Sequence, residues 1–256
     1  MMKITFLGTG TSCGVPVIGC QCEVCQSSDQ KDHRLRCSIL VETDGTRLLV
    51  DCGPDFRQQI LPQPFRRIDG ILITHSHYDH VGGMDDIRPY CQFGEINVYA
   101  DPIACKGMLQ MLPYCFAEHR YPGVPAIGLH EIHAGKAFRL GDIDILPIEV
   151  MHGKLPILGY RFGRFAYITD MKSIEPSQLE LLKGVEVLVV NALRFDKPHH
   201  SHQLVDDAIR FAHEVGARQT FLTHMCHDIG LHNEVNLHRL PADVKLAYDG
   251  QEISIP

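Results

Sequence analysis

Four side chains of the kind that bind metal ions lie within six consecutive residues. An apolar run over residues 71–73 has the length of a short strand, and the glycines at 82–83 allow a tight turn afterwards. The metal-binding side chains between them are His75, His77, Asp79 and His80. A solvated polar loop is the alternative interpretation, but such a loop does not need alternate histidines with an aspartate before the third. We therefore expect a metal site.

The residue types indicate which metals would suit the loop. Imidazole nitrogen and carboxylate oxygen together suit zinc, manganese or iron. Three histidines and an aspartate also exceed what a single ion usually takes from one segment. We therefore expect two ions, with the remaining ligands supplied from elsewhere in the chain.

The pattern H-x-H-x-D-H after a strand resembles the metallo-β-lactamase fold superfamily, whose members carry further metal ligands at later strand ends. Three later side chains each follow a strand-like run in the order of that family, namely His152, Asp170 and His224. The resemblance covers the whole chain. It implies an α/β fold arranged as a four-layer αββα sandwich, with two β-sheets flanked by helices, and a single hydrolase domain over residues 1–256.

The resemblance also implies how the ligands divide between two divalent ions, either Mn²⁺ or Zn²⁺. The first ion would be bound by His75, His77, His152 and Asp170. The second would be bound by Asp79, His80, Asp170 and His224, which makes Asp170 a bridge and places Asp79 in the catalytic centre. Two ions about 3.5–4 Å apart can share a water, lower its pKa to about neutrality and hold the oxygens of an in-line displacement at phosphorus.

A second candidate metal site is a loop with three cysteines spaced C-x-C-x2-C. They are Cys20, Cys22 and Cys25. Thiolates at this spacing can converge on one ion, but a structural zinc site needs a fourth ligand. The cyclic phosphodiesterase of the bacterial phosphonate-degradation pathway and its relatives close such a loop with a histidine just beyond the last active-site ligand. The sequence resembles them, with His227 in that place, which implies one structural Zn²⁺; three ordinary cytosolic thiols are the alternative.

A histidine-rich stretch at residues 199–202 precedes a predicted helix at 204–214. Histidines at a strand-to-helix junction suit an oxyanion, which the helix N-terminus also favours. In the phosphodiesterase branch a histidine just before this helix contacts the scissile phosphate. The resemblance assigns that role to His202, with His200 as second choice because the alignment can slip. In its cationic form His202 would protonate the leaving group, a task for which an ordinary pKa near 6.5 is suitable.

The short interval between two of the candidate ligands limits which class of substrate we expect. Only 17 residues separate His152 from Asp170, where the transfer-RNA 3′-processing endonucleases of the superfamily have a long arm that grips the tRNA. The leading prediction is therefore a dinuclear metal-dependent hydrolase that acts on a small phosphodiester, a cyclic one included. The alternatives are a thioester or lactone hydrolase with the same metals and a non-catalytic zinc-binding protein. Lys154 either meets a substrate anion or is an ordinary solvated lysine.

Other patterns predict the elements that position these residues. A D-G turn between two aliphatic runs predicts a hairpin over residues 38–51. Asp51 at its end is either the partner of a ligating histidine or a turn cap. Asp101 before a proline predicts a helix N-terminus. We also predict a helix over residues 173–182 and a final strand over 245–248.

Composition excludes several classes of protein. A net charge of -7 argues against binding a long nucleic acid nonspecifically, because that needs many Lys and Arg contacts to phosphate. Apolar runs stay below about 18 residues, so no membrane span is expected. The N-terminus lacks a long apolar signal region, and ten cysteines are then better explained as thiols than as disulfides. We expect a cytoplasmic enzyme whose partner is a small-molecule phosphodiester substrate, and a homodimer is compatible with the sequence.

Overall fold

The structure is a computed structural model that describes residues 1–117, 119 and 122–255. Within these residues fourteen strands form two seven-stranded sheets. The strands are β1 (Met2–Gly8), β2 (Ser38–Glu42), β3 (Arg47–Val50), β4 (Gly70–Leu72), β5 (Ile96–Ala100), β6 (Ile127–Glu131), β7 (Phe138–Leu140), β8 (Ile143–His152), β9 (Leu155–Phe162), β10 (Phe165–Ile168), β11 (Val187–Asn191), β12 (Gln219–Thr223), β13 (Val244–Leu246) and β14 (Glu252–Ile255).

Each sheet combines antiparallel and parallel pairing. The strand order is β14-β1-β2-β3-β4-β5-β6 in the first sheet and β13-β12-β11-β10-β9-β8-β7 in the second. Strands β3 to β6 are parallel to one another, and so are β10 to β13. Because parallel strands end at the same edge of a sheet, the loops that follow them gather at one edge, where ligands bind in sheets of this kind.

Helices lie against the sheets. They are α1 (Phe56–Ile60), α2 (Tyr78–Val81), α3 (Pro102–Met111), α4 (Pro113–Phe116), α5 (Pro176–Glu180), α6 (Val205–Val215) and α7 (His232–His238). Short 3-10 helices cover Gln30–Asp32, Met84–Phe93 and His227–Ile229. None of the helices in the described part of the chain has both the length and the apolar character to cross a membrane.

Buried side chains form three apolar layers between the elements. Phe6 and Phe221 belong to the layer that fills the space between the two sheets. Met108 of α3 packs in the layer outside the first sheet, and Phe211 of α6 packs in the layer outside the second. The predicted four-layer αββα sandwich is confirmed.

The predicted hairpin and helix start agree with the structure. Strands β2 and β3 pair antiparallel, with Ile39 opposite Val50. The side chain of Asp101 accepts a hydrogen bond from the Ala104 backbone N–H, at 2.6 Å, and so caps α3. Both signals are local turn and cap chemistry, which is why the sequence alone could reveal them.

Two predicted elements differ from the structure. The helix predicted over residues 173–182 is confined to Pro176–Glu180, because the Ser173 carbonyl accepts a hydrogen bond from the Met151 N–H at 2.8 Å and holds the chain extended. The final predicted strand is followed by a further one, β14, which pairs with β1. That strand has only four residues, and its partner lies at the other end of the chain.

Candidate metal centre

The ends of four strands bring the candidate active-site ligands to one edge of the sandwich. The metal loop follows β4, His152 ends β8, Asp170 lies two residues beyond β10, and His224 directly follows β12. Since β4 belongs to the first sheet and the other strands to the second, the site lies where the two sheets meet. Both sheets are therefore needed to assemble it.

The backbone turns sharply at three residues of this edge. Asp51, Asp170 and His224 have positive φ values of 61°, 57° and 55°. Residues other than glycine rarely adopt this left-handed conformation, which costs on the order of 1–3 kcal/mol at each position. The surrounding structure holds these residues in place, so that strain is concentrated at the candidate site.

One group of ligand atoms comes from His75, His77 and His152. His75 Nε2 lies 3.0 Å from His77 Nδ1. His152 Nδ1 lies 2.8 Å from the carbonyl oxygen of Asp170 and 3.0 Å from that of Ser201. Carbonyl oxygens only accept, so Nδ1 of His152 must carry the proton, and its Nε2 is left as the atom that can bind a metal ion.

A second group comes from Asp79, His80, Asp170 and His224. His80 Nε2 lies 3.3 Å from a carboxylate oxygen of Asp79 and 3.2 Å from one of Asp170. His224 Nε2 lies 3.0 Å from the other oxygen of Asp170. Asp170 also groups with His152 and His202, so the two ligand groups adjoin at this carboxylate.

Asp51 forms a hydrogen bond with one candidate ligand, His80, through the ring nitrogen that faces away from the centre. Its buried carboxylate accepts hydrogen bonds from His80 Nδ1 at 2.7 Å and from the Thr74 backbone N–H at 2.8 Å. A donor bond at Nδ1 leaves Nε2 of His80 free to face the centre. Of the two interpretations of Asp51, the structure supports the partner of a ligating histidine.

The buried carboxylates of this cluster stay ionised because positive charge lies next to them. Burial lowers the pKa of His80 and His224, but the neighbouring carboxylates outweigh it, raising that of His80 well above its ordinary value and that of His224 to about 9. Burial raises the pKa of Asp79 and Asp170, yet both remain below the ordinary value because these two histidines lie beside them. The carboxylates therefore stay ionised only with cations next to them.

Orphaned nitrogen atoms test whether metal ions fit this site. His80 Nε2, His202 Nδ1 and both ring nitrogens of His224 are buried and make no well-directed hydrogen bond, although carboxylate oxygens lie 3.0–3.7 Å from three of these atoms. Buried polar atoms are normally paired, and imidazole and carboxylate donors in this ratio suit zinc or manganese. The donor set therefore fits divalent ions.

The two candidate phosphate-binding histidines occupy different positions. His202 is buried, and its Nδ1 lies 3.7 Å from an Asp170 carboxylate oxygen, whereas His200 is exposed and lines a cavity beside His77 and His152. The expectation of an ordinary pKa for His202 is wrong, because burial and the neighbouring His224 lower its pKa to about 3. Its role as the proton donor stays a prediction.

Three cysteines and one histidine converge as a separate cluster. The sulfur atoms of Cys20, Cys22 and Cys25 lie 3.2, 3.3 and 3.4 Å from Nδ1 of His227. In a tetrahedral zinc site, sulfur and nitrogen ligands lie about 3.5 Å apart. The Cys25 backbone N–H lowers the pKa of Cys22 to about 7, while burial and the other cysteines raise that of Cys25 to about 11. These residues fit one structural zinc ion, which would stabilise all three as thiolates.

Thr74 is a functional residue that sequence reasoning missed. Its hydroxyl oxygen lies 2.9 Å from an Asp51 carboxylate oxygen and 3.0 Å from His75 Nδ1, so it connects a ligand to the buried carboxylate. Its position directly before the first histidine of the metal loop was the available signal.

Comparisons with known proteins agree with this geometry. A model of the β-lactamase superfamily domain matches residues 46–225. The crystal structure of a diphosphatase from the PhnP family is 38% identical, with a TM-score of 0.91, and the match covers 100% of this chain and 98% of that one. An octanoyltransferase of Porphyromonas gingivalis is 43% identical over 99% of this chain and 52% of its own length. A ribonuclease Z of Bradyrhizobium diazoefficiens is 41% identical over 63% of this chain and 50% of its own length.

The chain spans about half the length of these two curated relatives. The diphosphatase structure, by contrast, matches it from end to end. The superfamily model covers most of the chain, including the strand ends that carry the ligands. The chain thus belongs to the metallo-β-lactamase superfamily and, within it, to the PhnP family.

Proposed function

We propose that the protein hydrolyses a small phosphodiester with two divalent ions, and that the cysteine cluster holds a structural zinc ion. The observation that carries the proposal is the position of Asp170. Its carboxylate lies in the group with Asp79, His80 and His224 and also in the group with His152 and His202. A carboxylate shared between adjoining ligand groups is the expected bridge of a dinuclear centre.

When bound, two divalent ions activate a water molecule and neutralise charge on the phosphoryl oxygens. The protein's own contribution to proton transfer comes from His202, which is neutral at rest. A phosphodiester anion beside this ring favours its protonated form, so His202 takes up a proton as substrate enters. It then donates that proton to the leaving-group oxygen as the bond to phosphorus breaks.

The surroundings of the centre favour a small substrate. Strands β9 and β10 and their turns occupy the whole interval between His152 and Asp170, which leaves no arm to grip a folded RNA. A cavity of about 590 Å³ opens beside the centre, lined among others by His77, Lys154 and His200. That volume suits a small molecule, and Lys154 offers a positive charge at its wall.

The names of two relatives support phosphorus chemistry, since one is a diphosphatase and the other a ribonuclease. The octanoyltransferase relative favours a second candidate, hydrolysis of a thioester or lactone by the same centre. Its name describes a protein about twice as long as the matched part. A non-catalytic zinc-binding protein is the third possibility that an assay must exclude.

The test is a substrate screen on protein reconstituted with Mn²⁺ or Zn²⁺. We expect turnover of bis(4-nitrophenyl) phosphate and of small cyclic phosphodiesters, and no comparable turnover of an octanoyl thioester or a lactone. Asp170→Asn should abolish turnover and lower the content of both ions while the fold survives, because the residue lies beyond a strand end. Preferred turnover of the acyl substrates would overturn the proposal, and so would full metal content and activity in Asp170→Asn.

A further inference from the structure

We propose that Arg194 is a positioning residue that ties the histidine-rich loop, defined here as residues 194–203, to the cysteine cluster through Asp228. The loop runs from the segment after β11 to the start of α6 and contains His202. The catalytic consequence rests on the proposed function, but the structural link does not.

Arg194 contacts three parts of the structure at once. Its Nε donates to the Lys197 carbonyl oxygen at 3.0 Å, which closes the first turn of the loop. Its own carbonyl accepts from the Val205 N–H at 3.0 Å, where α6 begins. Its guanidinium Nη1 lies 3.5 Å from an Asp228 carboxylate oxygen, and Lys197 Nζ lies 3.4 Å from the same oxygen. The Arg194 side chain therefore joins the first turn of the loop to Asp228, while its backbone carbonyl joins the loop to the start of α6.

Asp228 belongs to the turn that forms the cysteine cluster. It directly follows His227, whose Nδ1 faces the three sulfur atoms. In the same turn, the Cys226 N–H donates to the Leu193 carbonyl oxygen at 3.0 Å, one residue before the loop. The position of the loop is thus defined by the turn that the structural zinc would hold.

The other half of the loop is held by the metal centre. The Ser201 carbonyl accepts from His152, the His202 carbonyl accepts from Lys172 at 3.1 Å, and the Gln203 N–H donates to the Met171 carbonyl at 3.2 Å. The loop that carries His202 is therefore held on one side by residues in and next to the metal centre. On the other side it is held by the turn that forms the cysteine cluster.

The backbone of the first half of the histidine-rich loop is strained and must be held by contacts with its surroundings. Lys197 has a φ of +62°, a left-handed conformation that lysine adopts only when its surroundings enforce it. The Arg194–Asp228 pair is partly buried, with 20% and 36% of the two side chains exposed. Such pairs contribute about 1 kcal/mol or less to stability. Loss of the Arg194–Asp228 pair should therefore raise the opening equilibrium of the loop by up to about fivefold without unfolding the protein.

The first test measures amide hydrogen exchange in Arg194→Met and Asp228→Asn on the zinc-replete protein. We expect exchange over residues 195–205 to quicken about fivefold in both variants, with unchanged zinc content. Matched controls are Arg164→Met and Glu186→Gln, which break a pair of similar length, 3.2 Å, at the opposite end of β10. Exchange in the loop that matches the controls would overturn the proposal.

The second test measures kinetics with bis(4-nitrophenyl) phosphate and with diphenyl phosphate, whose leaving group is poorer. We expect each variant to lower kcat about fivefold for diphenyl phosphate and less for the activated ester, with little change in KM, because a displaced His202 delivers its proton less well. The double variant should lose no more than the larger single loss. Additive losses, or an effect on KM alone, would refute the link. If the wild type hydrolyses neither these esters nor the small cyclic phosphodiesters, the proposed function fails, and hydrogen exchange alone decides the structural proposal.

Discussion

Replacing the buried carboxylate behind the metal centre should weaken metal binding without removing a ligand. In Asp51→Asn the left-handed backbone, with φ of 61°, is retained, because asparagine tolerates this conformation. The two carboxylate oxygens of Asp51 accept from the Thr74 N–H and from His80 Nδ1. An amide offers one acceptor oxygen and one donor nitrogen. Whichever way it is placed, a donor must therefore face a donor.

The expected loss of metal affinity follows from how His80 can respond to the Asp51→Asn substitution. A neutral His80 can resolve the conflict by moving its proton to Nε2, the atom 3.2 Å from Asp170 that faces the metal centre. A protonated Nε2 cannot bind a metal ion. If His80 keeps its proton on Nδ1, a buried donor loses its partner at a cost of about 1–3 kcal/mol. Both routes agree with the 10–100-fold loss of metal affinity, about 1.4–2.7 kcal/mol, that is typical when such supporting partners are removed.

The assay is competition with a chelator, following the release of each active-site ion from wild type and Asp51→Asn at constant pH. Glu42→Gln is the matched control, since Glu42 is also a buried carboxylate but lies at the far end of β2, paired with Arg47 at 3.0 Å. We expect the control to lose stability and to keep its metal affinity. Equal metal affinity in Asp51→Asn and wild type would show that Asp51 only caps a turn.

Three further predictions address proton transfer, zinc and pH. His202→Ala should lower kcat by about 10²–10⁴-fold and leave metal content unchanged, with a smaller loss for nitrophenyl leaving groups; equal losses for good and poor leaving groups would show a binding role only. Cys22→Ser should lose about one zinc per chain by elemental analysis and become thermally labile, whereas Cys105→Ser should change zinc content and thermal stability little. Unchanged zinc content in Cys22→Ser would refute the cysteine site. In the metal-free protein the raised pKa of His224, about 9, contributes stability below pH 6.5 that is lost as pH rises towards 9, so the melting temperature should fall by several degrees across that window. Loaded protein should not show this fall, because the ions replace the proton, and a flat curve for the metal-free protein would contradict the reasoning.

The candidate ligands that the structure brings together could be chosen from the sequence because they follow a local rule. His75, His152 and His224 each come at or just after the end of a strand whose apolar run is visible by itself. The order of these strands then limits how the ends can meet, because parallel strands finish at one edge. The same local reasoning located the helix that Asp101 caps.

Burial and backbone strain could not be predicted, because both depend on contacts between distant segments. The pKa of His202 is set by burial and by His224, which lies 22 residues further along the chain. Aspartate is enriched in the left-handed conformation but is far more common in ordinary ones, so residue type alone could not single out Asp170. Sequence patterns therefore indicated which groups are present, but not the protonation state in which they begin.

Contacts between distant segments of the chain give the proposed zinc site a structural role beside this centre. The backbone of Met225, the residue after His224, is held by the N-terminal turn: its N–H donates to the Thr9 carbonyl and its carbonyl accepts from the Thr11 N–H, both at 3.1 Å. Ordering such distant segments costs loop-closure entropy. A zinc ion shared by the cysteine loop and His227 would offset that cost. His224 can then keep its strained conformation, because the segment that carries it is fixed on both sides.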